Sequence, residues 1–188
     1  MRRTKMFFAV ALATAMITGS AVGVTARPSI TTEAVLSEAG VGSTTVEAIT
    51  DISASTKLST EAKATFSALA ETKTTADYLD VAADNAVDTA TEEALAELKE
   101  AKTELINKDV VELTTTEAGV FTVKISKDVV GNGYLYFSSV DADGKVKLYE
   151  VSYDAETEEA TIETDEETDT LTGDILKSDT KVEIKTAE

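Results

Sequence analysis

Residues 119–153 hold three β-rich runs parted by turn chemistry, and no other stretch limits the fold as much. In residues 119–126, Phe121, Val123 and Ile125 alternate with Thr122, Lys124 and Ser126, the period-two pattern of a half-buried strand. Residues 134–140 carry aromatic groups at positions of both parities, which predicts a central strand covered on two sides. Asp141-Ala-Asp-Gly144 then forms a short acidic turn ending in the residue that tolerates positive φ. Gly131-Asn-Gly133 predicts a hairpin turn before Tyr134. Along residues 145–153 the apolar phase switches between Leu148 and Tyr149, so a bulge or two-sided burial is expected.

Residues 109–113 read as a strand leading into this unit. Residues 160–164 and 180–186 read as the last two, with Val182 and Ile184 alternating with Lys181, Glu183 and Lys185. Leu171, Ile175 and Leu176 are expected to plug the gap between them. Some six strands at short intervals predict an antiparallel β-sandwich or partly open β-barrel over residues 109–188.

Residues 59–108 read as helical. Ser59 can cap a helix over residues 60–71 with Ala62, Phe66 and Leu69 on one side. Residues 76–83 form a second, weaker candidate. Thr89 followed by Glu92 reads as a capping box, and Ala94, Leu95, Leu98, Ala101, Leu105 and Ile106 form a buried stripe that ends near Asn107. Residues 27–58 are poor in apolar groups and read as a linker or weakly ordered section, with helical spacing at Val46, Ile49 and Ile52. The fold class expected is α+β, a helical N-terminal section followed by an antiparallel β domain.

Residues 1–26 have the plan of a signal peptide. Arg2, Arg3 and Lys5 form a positive start, residues 6–17 an apolar run, and Val24-Thr-Ala26 a small-residue cleavage pattern. The run is too short for a membrane span and no second one follows, so no stable span is expected after cleavage. What remains has 14 basic and 35 acidic side chains, a net charge of −21. Such a chain repels nucleic acid phosphates and anionic lipid, so nucleic-acid binding is excluded. There is no cysteine, histidine or tryptophan. Disulfides, thiol catalysis, Ser-His-Asp triads and zincin motifs are thereby excluded, and so is the commonest sugar-stacking ring. A cysteine-free secreted chain fits the exterior of a Gram-positive bacterium, which lacks a dedicated oxidising compartment.

Two groups of residues carry candidate chemistry. From Ser139 to Glu150 the sequence follows the spacing of a calcium loop, with Asp141, Asp143 and Glu150 as ligands, although Ser139 stands at the first position and the flanks read as strands. A plain hairpin turn explains the same residues. Tyr134, Tyr136, Tyr149 and Tyr153 would form a contact patch for a glycan or protein if they shared a face. Residues 154–169 hold nine carboxylates and no lysine or arginine, the composition of a solvated loop. Paired carboxylates also serve glycosidases, but with 35 acidic residues suitable spacings arise everywhere and single out none.

The helix-to-strand junction Ile106-Asn-Lys-Asp-Val-Val-Glu-Leu113, the strand of residues 120–126 and Gly133-Tyr-Leu-Tyr-Phe137 resemble a group of uncharacterised small secreted proteins of Gram-positive gut anaerobes. In that group the matching strands often carry a His and a Trp, both missing here. The resemblance implies an extracellular or surface location and no activity. The function expected is a non-catalytic secreted or cell-surface module that binds a protein or glycan through its β domain and needs no cofactor. Alternatives are a calcium-stabilised structural module of the cell envelope and a carboxylate-based hydrolase.

Overall fold

The computed structural model describes residues 41–164 and 167–185. The expected signal peptide lies outside these residues. The elements in chain order are β1 (Thr44–Ile49), α1 (Thr60–Ala70), α2 (Thr75–Asp84), α3 (Thr89–Glu100), β2 (Thr103–Leu105), β3 (Val110–Thr115), β4 (Val120–Lys124), α4 (Lys127–Val130), β5 (Tyr134–Val140), β6 (Val146–Asp154), β7 (Glu159–Glu163) and β8 (Thr170–Ser178). The chain is therefore α+β.

One antiparallel sheet runs in the order β1-β3-β8-β5-β6-β7-β4, with β2 pairing β8 beyond the end of β3. It curls until its edges meet, and Thr122 N–H on β4 donates to Thr44 Oγ1 on β1 at 2.9 Å. A nearly closed, barrel-like sheet leaves little edge for other chains to pair with. Inside the curl lie Leu113, Phe121, Val123, Phe137, Ile162 and Ile175. The outer face of β5 and β8 is covered by the helices, where Tyr136, Leu148 and Leu176 meet Phe66, Leu69, Leu79, Leu95 and Leu98. Helices and sheet thus share one buried cluster, and β5 is covered on both faces as its composition predicts.

Capping chemistry explains the helix starts. Ser59 Oγ accepts from Ala62 N–H and Thr74 Oγ1 from Asp77 N–H. In α3 the cap lies one residue before the predicted Thr89, because Asp88 Oδ1 accepts from Thr91 N–H at 2.7 Å. That helix also stops earlier than the stripe predicts, with Ala101 already extended. Leu105 and Ile106 are consecutive residues of extended chain, so one joins the helix-side cluster and the other the interior of the curl.

Four further expectations change. Val46 and Ile49, read at helical spacing, belong to β1. In a strand, residues three apart face opposite ways, and here Val46 is buried inside the curl and Ile49 under the helices. Gly131-Asn-Gly133 does not close a hairpin. It follows α4 and starts β5, while β4 pairs with β7. Leu171, Ile175 and Leu176 are not plugs but part of β8, at the middle of the sheet. Gly173 and Asp174 break the apolar pattern there, and a Cβ on Gly173 would strike the Ser138 carbonyl. Finally, residues 181–185 join no ladder, although Val182 is buried as its alternation predicts. The phase switch at Leu148 and Tyr149 is two-sided burial, since the β5–β6 register runs without interruption.

Candidate functional site

The Asp141 turn is built from the backbone outward. Asp141 Oδ1 accepts from Asp143 N–H at 2.9 Å and from Lys145 N–H at 2.8 Å, and Gly144 has φ +75°. Helix α1 clamps the turn, with Ser59 Oγ donating to Ala142 O and Thr65 Oγ1 to Gly144 O. Glu150 lies four residues along β6 from Val146, about 13 Å at the usual strand rise. Its carboxylate accepts from Ile184 N–H and pairs with Lys181. Asp141, Asp143 and Glu150 therefore do not converge as a calcium loop requires, and among the described residues no three metal-ligating side chains gather. The register is the physical reason, because strand flanks carry position twelve away from the turn where helical flanks would fold it back.

The register also parts the four tyrosines. Tyr149 stands opposite Phe137 and Tyr136 opposite Glu150, so Tyr149 and Tyr153 face into the curl while Tyr136 faces the helices. Tyr134 is 44% exposed at the start of β5. Tyr136 is buried, and burial pushes its hydroxyl above the ordinary tyrosine value. Tyr153 OH donates to Ile125 O, and burial raises it as well. Tyr149 packs on the inner cluster with the Lys147 ammonium 5.4 Å from its ring centroid. The expected shared patch is not formed. The acidic run is likewise divided, with Asp154 held low by the backbone N–H of Glu156 at the β6–β7 turn and β7 taking the middle.

Around the Asp141 end of the sheet runs a cleft of about 520 Å³, to which Lys57, Asp88, Val140, Asp141, Lys147 and Tyr149 contribute. Its size and mixed lining suit a small ligand or a protruding group. Lys57 Nζ reaches Glu112 and Glu47, both at 2.6 Å, and those hydrogen bonds hold it firmly charged, Glu112 foremost. Asp88 caps α3 and Asp141 holds its own turn.

Composition gives no signal for a second polar group, buried between α2 and the sheet. Asp174 on β8 is fully buried. Its Oδ2 accepts from Tyr78 OH at 2.9 Å and its Oδ1 from Asn107 Nδ2 at 2.9 Å. Asn107 Oδ1 in turn accepts from Ile175 N–H at 2.6 Å. Ser138, paired with Asp174 across β5 and β8, has a buried hydroxyl without a hydrogen-bond partner. The cluster is sealed from solvent and ties three parts of the chain together.

No helix among the described residues is long and apolar enough to cross a membrane. No family model, curated protein or solved structure matches the chain.

Proposed function

We propose that the chain is a non-catalytic secreted or cell-surface module that binds a protein or glycan through its β domain. The cleft at the Asp141 end carries this reading. It is concave, about 520 Å³ in volume and lined by apolar and polar groups together. The engagement of its ionisable groups supports a binding role over a catalytic one. Lys57 is held in its charged form by two carboxylates, the opposite of what a nucleophile or general base needs. Asp88 and Asp141 hold backbone N–H groups. The positive start, apolar run and small-residue pattern of residues 1–26, which have the plan of a signal peptide, support a place outside the cell.

The test is retention of the purified chain on peptidoglycan, mucin, polysaccharides and surface-protein extracts, beside a turnover assay on the same polysaccharides. Retention without turnover, reduced by Lys147→Ala or Tyr149→Ala in folded protein, is the expected result. Release of product from any polysaccharide would contradict the non-catalytic reading.

A further inference from the structure

Residues 181–185 lie across the seam between α3 and β6, and the contacts that hold them differ from those elsewhere in the fold. Val182 is buried against Tyr136, whose hydroxyl accepts from Val182 N–H at 2.6 Å and donates to Val182 O at 3.0 Å. One side chain thus serves both backbone polar groups of one residue, in place of a neighbouring strand. Ile184 packs at the edge of the same cluster, and its N–H donates to Glu150 Oε1 at 3.2 Å. Lys185 Nζ meets Glu93 Oε2 at 2.9 Å and Lys181 Nζ meets Glu150 Oε2 at 3.9 Å. Beside the segment remains a hollow of about 500 Å³, lined by Ala96, Glu97 and Glu100 of α3 together with Lys181 and Val182. The segment therefore does not fill the seam.

We propose that this seam is a recognition groove for an extended basic peptide of the pattern Lys-apolar-x-apolar-Lys, and that residues 181–185 are a strap occupying part of it from within the chain. The proposal rests on the reading of the chain as a binding module and names a protein, not a glycan, as the partner at this place. Tyr136 provides the backbone clamp, the helix-side cluster provides the floor for two alternate apolar side chains, and Glu93 and Glu150 receive the flanking lysines. Glu97 and Glu100 line the unfilled part, and the chain carries a net charge of −18, so a basic partner is drawn in and an acidic one repelled. A tethered strap has a high effective concentration, so a partner peptide binds in proportion to how often the strap is open. Three side-chain-mediated anchors and no ladder make that opening easier than unfolding of the sheet.

The experiment has two arms on the full chain. Native-state hydrogen exchange compares the Val182 amide, bonded to Tyr136, with the Ile175 amide, bonded to Asn107 inside the sheet. Val182 is expected to exchange at least about a hundredfold faster, through a local opening. Exchange of both at one rate would overturn the proposal, because the strap would then leave only when the protein unfolds. In the second arm a labelled synthetic peptide with the sequence of residues 180–185, carrying Glu183→Gln so that it is basic, is titrated into the wild-type chain and into Val182→Asp/Ile184→Asp. Affinity at least about tenfold higher for the double variant, lost when both lysines of the peptide become glutamate, is expected. Equal affinities, indifference to the charge reversal, or a double variant that unfolds would each overturn it. Retention on a glycan with no peptide binding would defeat the groove and leave the binding-module reading standing.

Discussion

The two faces of β5 and β8 are both buried, yet they are built differently. Inside the curl Phe137 and Ile175 belong to a largely apolar cluster with Leu113, Phe121 and Ile162, and Tyr149 and Tyr153 pack at its margin. On the helix side the same strands carry Ser138 and Asp174 among Leu, Phe and Tyr, with Tyr78 and Asn107 arriving from α2 and the β2–β3 link. Apolar packing fills space and tolerates rearrangement, whereas a buried carboxylate accepts only those placements that keep its donors in line. Apolar volume fills the curl, whereas the helical layer adds buried hydrogen bonds to its apolar packing on the sheet.

Truncation inside the curl should show the largest effect. Phe137→Ala removes a fully buried ring and is expected to cost about 4 kcal/mol in denaturant unfolding, while Phe137→Leu costs about 1.5 kcal/mol because the interior repacks. Asp174→Ala comes next, at about 3 kcal/mol, since the Tyr78 hydroxyl and the Asn107 amide lose their common acceptor in a sealed site. The stronger distinction lies in the order of loss. The Asp174 variant is expected to loosen α2 in hydrogen exchange before the sheet, and uniform loosening would erase the difference between the faces.

The smallest effect is alkaline. Burial raises the Tyr136 hydroxyl above its ordinary value of 10. A raised folded-state value gives stability that is full below the unfolded value and lost as pH climbs through the folded one. Tyr136→Phe should therefore unfold less steeply than wild type between pH 10 and the alkaline limit, while costing about 1 kcal/mol at neutral pH through the lost clamp on Val182. Parallel wild-type and variant melting curves across that pH range would contradict this.

Local chemistry is what the sequence makes legible. Ser59 as a cap, the Asp141–Gly144 turn and β4 to β7 follow from neighbours within four residues. Two-sided burial hides β1 and β8, because Val46 and Ile49 mimic a helical interval and Leu171, Ile175 and Leu176 show no single-face alternation. The pairing of β4 with β7 joins residues some forty positions apart, and no local signal carries it. For the same reason the tyrosine patch dissolves. Whether Tyr136 and Tyr149 share a face depends on a register that only the assembled sheet fixes. Asp174 is hidden because an aspartate after glycine reads as a loop, and the partners Tyr78 and Asn107 that help make it tolerable in the core are distant in sequence.

The most direct measurement is a double-mutant cycle on Tyr78→Phe and Asp174→Ala, read as unfolding free energy in denaturant. If the buried carboxylate positions the helical layer, the two single losses should exceed the double loss by about 1 to 2 kcal/mol. Strict additivity would mean that Tyr78 and Asp174 act independently, and that the bond between them does not place α2 on the sheet.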